Sequence, residues 1–216
     1  METGNVSAII SATAGISGVL LGNSFVAVKE WLVGRSKRQK DTAYLAIIVV
    51  SHLERFASGC LHVALDDGTE SGRPAGNKGE ECAPTVRPPE FQPLDIDVEW
   101  KVLPQQLMYS ILLLPDQREQ IQNRLAGIAE FDDDYPGHTE YFWARRRDYS
   151  ELGLRASDLA RRLRKHAGMP IEEPKPGVWC RDQELRDQIV RIDDELKEAE
   201  RRTAEYRKNQ TGLAAP

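Results

Sequence analysis

Cysteine is sparse and unpatterned in this chain. Cys60, Cys82 and Cys180 are an odd number with no CxxC pair. That argues against a disulfide framework and fits a reducing compartment. Apolar residues are also in short supply for a compact α/β enzyme. They make up 40% of the chain against 29% charged, a balance better suited to exposed helices and coiled coils. No repeat of solenoid period is present, and the only plausible extended pieces lie around Phe91–Val98. At 216 residues the chain can hold one domain, or one domain with an anchor and a tail.

Signatures of chemistry are missing too. The stretch from Gly72 to Gly79 superficially resembles a phosphate-binding loop. It lacks the GxxxxGK[ST] spacing, a preceding strand and a following helix, so it is rejected. The four histidines provide no nucleophile with an evident base. No cofactor is expected and no catalytic residue is assigned, so a non-enzymatic role is favoured.

Charge, by contrast, is strongly patterned. Residues 1–65 carry 6 basic and 4 acidic groups (+2), and 66–137 carry 6 and 15 (−9). Residues 138–168 carry 8 and 4 (+4), and 169–216 carry 9 and 11 (−2). The acidic middle disfavours a nucleic-acid partner along the length of the chain.

The clearest feature is an uncharged run of 23 residues, Val6 to Val28. As a helix at ~1.5 Å per residue it would span ~34 Å, enough for a hydrocarbon core of ~30 Å. Lys29, Trp31, Arg35, Lys37, Arg38 and Lys40 follow at once, an interfacial tryptophan beside a basic cluster. No Lys or Arg precedes the run. The sequence therefore predicts a single-pass anchor over 6–28, a short exterior N-terminus at 1–5, and the rest in the cytoplasm. The location would be the cell membrane, the inner membrane if the source is bacterial. The bilayer and its anionic headgroups are the expected partners. A cleavable signal peptide would want a basic start and a shorter apolar core. A buried soluble helix remains the main rival, because the run is rich in Gly, Ser, Ala and Thr and contains Asn23. Ala14, Gly18 and Gly22 recur every fourth residue and include a GxxxG, a candidate self-association seam.

Residues 29–65 read as a basic juxtamembrane segment followed by an amphipathic helix. Its apolar face is expected to comprise Tyr44, Ile47, Ile48, Leu53, Phe56, Cys60 and Val63. Residues 66–98, rich in proline and glycine, read as a long exposed loop without enough apolar surface to order itself. Residues 99–168 read as the helical core: Glu99–Leu114, then Asp116–Phe131 with Ile121, Leu125 and Ile128 inward. A third helix follows from about His138 to His166, with Tyr149, Leu152, Ala156, Leu159 and Leu163 at 3–4 spacing. After a Pro-rich turn at 169–180 comes a last helix over 181–209, and then a tail, 210–216. In the last helix Leu185, Ile189, Ile192, Leu196, Ala199, Thr203 and Tyr206 form a heptad seam. Asp187–Arg191, Asp193–Lys197 and Glu198–Arg202 are i, i+4 pairs. The expected fold is all-α: one N-terminal transmembrane helix and a helical domain ending in an antiparallel hairpin or coiled coil. In the second case the seam, with Leu185, Ile189, Ile192 and Leu196, would pair with another copy.

Two clusters could hold a metal. Asp132, Asp133, Asp134 and His138 group carboxylates with an imidazole, but negative charge before a helix start is favourable in itself, and capping is preferred. His62 and Asp66, at i, i+4 with His52 and Cys60 nearby, lack announced third and fourth ligands. The Arg145–Arg147 and Arg161–Lys165 runs could meet lipid headgroups or phosphates. Pairing with the acidic 66–137 region is the better expectation. Tyr141, Phe142 and Trp143 could stack on bases but more often supply core. The functional expectation is a membrane-anchored helical interaction or scaffold protein, self-associating or bound to another membrane or cytoplasmic protein. The alternatives are a membrane-bound metal-dependent enzyme, with a site around 132–138 and His62, and a membrane-perturbing effector.

Overall fold

The computed structural model describes the backbone of residues 3–171 and 177–213, and the side chains of 29, 31–171 and 177–209. Residues 1 and 2, the side chains of the expected exterior N-terminus and of the anchor, including Ala14, Gly18 and Gly22, residues 172–176 and the tail side chains lie outside the described residues. The chain is mostly helical, as expected. In order it forms α1 (Thr3–Leu65), β1 (Thr69–Glu70), β2 (Arg73–Pro74), α2 (Gln105–Leu112), α3 (Leu114–Glu130), α4 (Thr139–His166) and α5 (Arg181–Leu213). Short 3-10 turns occupy Asn77–Gly79, Pro93–Asp95 and Trp100–Val102.

α1 runs 63 residues without a break. No proline occurs before Pro74, so every peptide N–H needed for the i→i−4 ladder is present. Its character changes along its length. Lys29 and Trp31–Lys40 are all exposed. From Thr42 onward it enters the domain, burying Leu45, Val49, Leu53, Phe56, Cys60 and Val63. These step by 4, 4, 3, 4 and 3, a helical stripe facing the core. The expected face was rotated at its start: Tyr44 and Ile47 are 62% and 59% exposed. Leu45 and Val49 continue the Leu53–Phe56–Cys60 row back by whole turns, and Tyr44 and Ile47 do not.

Beside α1 lies α4, with reversed direction. Asp66, just past the end of α1, meets Arg145, a Cβ on Gly153 would sit 3.0 Å from Cys60 Cβ, and Glu54 meets Arg164. The expected α4 face is buried in full: Tyr149, Leu152, Ala156, Leu159 and Leu163. α3 joins the same core against α4, with Leu125 buried and Ile121 and Ile128 partly so. The expected helix at Glu99–Leu114 is interrupted. Pro104 cannot donate to the ladder and disfavours helical backbone just before it. A 3-10 turn therefore precedes it and α2 starts after it.

The 66–98 segment is not exposed along its whole length. Gly68, Phe91 and Pro93 are buried, and Phe91 lies 5.5 Å from Phe56, centroid to centroid. Its apolar residues are few but are spent on the core, while polar ties hold the remainder. The described strands are the two-residue β1 and β2, paired antiparallel; Phe91–Val98 carries a 3-10 turn instead.

α5 lies beside α4 with reversed direction, its first residues meeting the later part of α4 and its later ones the earlier part. Asp182 pairs with Ser157, Gln188 with Arg146, Asp193 with Arg147 and Glu195 with Trp143. Leu185 and Ile192 are completely buried within the chain, whereas Ile189 and Leu196 are partly exposed. Beyond Glu200 every described residue is exposed. Of the expected i, i+4 pairs Glu198–Arg202 forms, at 3.3 Å. Asp193 turns to Arg147 instead, and Lys197 takes Asp194.

Candidate functional site

Three places could carry function: the basic portion of α1, the interior ion pair at its far end, and an acidic cleft beside it. On α1, Lys29, Trp31, Arg35, Lys37, Arg38 and Lys40 stand on helix with no described neighbour packed over it. Arg35 lies over the Trp31 ring, 5.3 Å from its centroid, an attraction between cation and ring quadrupole. The described stretch Trp31–Leu65 is long and apolar enough to cross a membrane. Half of its most apolar window is buried inside the domain, which is how a core helix behaves.

At the domain end of α1 the chain buries an ion pair. Arg145 donates to Asp66 Oδ2 at 2.8 Å, with side chains 2% and 1% exposed. Asp66 also accepts from Gly68 N (3.2 Å), Thr85 N (2.9 Å), Thr85 Oγ1 (2.8 Å) and Val86 N (3.0 Å). Arg145 completes the circuit by donating to Val86 O at 2.6 Å. Burial alone would raise the Asp66 pKa, but these donors and the guanidinium outweigh it and hold the carboxyl below its ordinary range. Asp66 is thus tied to a loop and to α4, and not to His62 as a chelating pair. No group of three or more metal-ligating side chains occurs among the described residues. Cys60 is buried in the core, where desolvation pushes its thiol well above the usual range.

The arginine runs are largely paired inside the molecule, though only partly with the acidic 66–137 region. Arg145 meets Asp66 as that complementarity implies, whereas Arg124 and Asp148, 2.7 Å apart, join the same two regions with the charges reversed. Arg146 and Arg147 turn to α5, Arg164 to Glu54 of α1, and Arg161 to Asp158. Tyr141, Phe142 and Trp143 also diverge. Phe142 is buried, Tyr141 packs on the main core, and Trp143 donates to Glu195 at 2.7 Å.

The acidic turn caps α4. Asp134 Oδ2 accepts from Thr139 N at 3.0 Å, and the Thr139 hydroxyl and N–H hold the Asp134 carboxyl below its usual range. Asp132 meets His138 Nδ1 at 2.9 Å and Asp134 N at 2.9 Å. Above this turn opens a cleft of about 420 Å³, lined by Ile128, Phe131, Asp132, Asp133, Asp134, Thr139, Glu140 and Trp143. Acidic and aromatic walls would repel phosphate. Sequence reasoning singled out Asp132–Asp134 but not the cleft, because Phe131, just past α3, and Trp143, on α4, come together only in the fold. It missed the Asp66–Arg145 pair because their separation of 79 residues leaves no local trace. Within the Arg145–Arg147 run nothing local distinguishes the buried arginine from its two neighbours.

Compared with protein families, curated proteins and solved structures, the chain matches none.

Proposed function

We propose that the protein is a membrane-anchored helical scaffold or interaction protein. Residues 6–28 cross the bilayer, the N-terminus lies outside, and the domain from Thr42 onward sits in the cytoplasm. One observation carries the reading: α1 continues unbroken from the uncharged run, through an uncovered basic stretch, into the domain core. A helix belonging wholly to a soluble core would be covered where it is apolar, yet Trp31, Leu32 and Val33 are more than half exposed. Headgroups would take up this stretch, with Trp31 at the interface and the lysines and arginines toward anionic lipid. From Lys29 to Lys40 the helix rises ~17 Å, a length that would hold the domain just clear of the membrane surface.

Charged helices surrounding a compact core and the absence of assembled chemistry among the described residues favour partner binding over catalysis. In this reading α4 and α5 form an antiparallel hairpin. Copies associate through Ala14, Gly18 and Gly22 in the anchor, because Leu185 and Ile192 are already spent inside the chain. Topology is tested with single cysteines at Thr3 and Asn209, placed in a chain otherwise free of cysteine and challenged with a membrane-impermeant thiol reagent on intact cells. The reading expects labelling at position 3 alone, and the reverse pattern overturns it.

A further inference from the structure

The interior of this domain is divided unevenly. The main core joins α1, α2, α3 and α4. Among the described residues α5 contributes nothing to it, and instead Leu185 packs in a small separate cluster with Leu61, Ala64 and part of Leu154. Ile192 is its other completely buried apolar residue, and the third side chain it buries is a polar one, Gln188. The rest of its attachment is charged or hydrogen-bonded. Arg181 meets Glu54 at 2.7 Å and Ser157 Oγ at 2.6 Å. Ser157 donates to Asp182 at 2.7 Å, Arg147 reaches Asp193 at 2.8 Å, Arg146 reaches Gln188 at 3.0 Å, and Trp143 reaches Glu195 at 2.7 Å. Most of these partners are partly open to water, where salt screens their attraction.

We propose that α5 is a releasable helix, held chiefly by polar and ionic contacts, which undocks as one unit while α1–α4 stay folded. An element with few buried apolar contacts belongs to the low-stability end of a structure and opens before the rest. Its release uncovers an apolar strip, Leu61, Ala64 and Leu154, flanked by Arg146 and Arg147. Such a face suits an acidic amphipathic helix in α5's place. The device thus makes the face available conditionally, through ionic strength or a competing helix, and it does not depend on the membrane reading.

The test is native-state hydrogen exchange on the full chain in detergent micelles at about 0.1 M and about 1 M NaCl, a change that shortens the screening length from ~10 Å to ~3 Å. Amides from Leu185 to Leu196 should share one opening rate, be at least roughly tenfold less protected than Tyr149–Leu163, and lose a further several-fold in high salt while α4 holds. Arg147→Gln should speed α5 exchange roughly two- to fivefold and leave α4 unchanged. Exchange of α5 at the α4 rate, protection graded from the C-terminus as in simple fraying, or insensitivity to both salt and Arg147→Gln would each overturn the proposal.

Discussion

Replacing Asp66 with asparagine removes one charge from the most enclosed polar cluster of the domain while keeping its shape. The carboxylate accepts five hydrogen bonds, two at Oδ1 and three at Oδ2. Asparagine has only one acceptor oxygen, and its NH2 would face donors whichever way the amide turned. If the oxygen keeps the Oδ2 position, the Gly68 N–H and Thr85 hydroxyl lose their acceptor. If it keeps Oδ1, Thr85 N, Val86 N and Arg145 lose theirs. In either case Arg145, 2% exposed, is left as a buried cation without a counter-charge. Removing one member of such a pair costs about 3–5 kcal/mol. In a chain of this size each kcal/mol lowers Tm by about 2–4 °C, so Asp66→Asn should melt roughly 6–20 °C below the parent. Thermal unfolding followed by circular dichroism of the full chain in mild detergent reads this directly. Adding Arg145→Met to Asp66→Asn should recover part of the loss, because the stranded charge goes with it. A single variant melting within about 2 °C of the parent would refute the reasoning.

Four further outcomes follow from the same geometry. Because the Asp66 pKa is depressed on folding, its contribution is present above the unfolded value near 4 and is lost as pH falls through the lower folded value. The parent should therefore show a steeper acid limb in a Tm-versus-pH series than Asp66→Asn. Tyr149 carries a hydroxyl with no partner among the described residues, and burial pushes its pKa up to about 12. Tyr149→Phe should be neutral or stabilising by about 1 kcal/mol in thermal melts, since a stranded hydroxyl is costly to bury. At Gly59 a Cβ would fall 2.5 Å from Pro89 Cβ, so Gly59→Ala should destabilise by about 1–3 kcal/mol through overpacking, and protease should cut 66–98 sooner. Leu20→Arg should oppose insertion by about 3 kcal/mol, read as a shift of the chain from the membrane to the soluble fraction.

The helical class was readable because the relevant patterns are local. In α4 the Tyr149–Leu163 row has its full 3–4 spacing within one helix, and packing needed only to choose that face. In α1 two apolar rows compete, Tyr44–Ile47 and Leu45–Val49. Only contact with α4 decides between them. Pro104 was legible as a breaker, but composition could not say that the preceding residues would turn as 3-10. The loop at 66–98 reads from composition as too polar to order itself, whereas in the fold parts of it are buried. It is tied down by partners on the helices, Arg145 holding Asp66 and Phe56 receiving Phe91. The heptad seam of α5 was visible, whereas its partition was not. Leu185 is consumed against α1 and α4, Ile192 is buried as well, and the later positions extend past the domain. Local spacing identifies faces, while partners set by distant residues, such as Arg147 for Asp193, require the fold.

The central claim is that α1 carries the chain in a bilayer. Membrane fractionation of the full chain beside a chain beginning at Arg38, each washed with high salt and alkaline carbonate and then extracted with detergent, tests it most directly. The full chain should stay with membranes through both washes and leave only in detergent, and the shortened chain should be soluble. A full chain recovered in the supernatant without detergent would contradict the account.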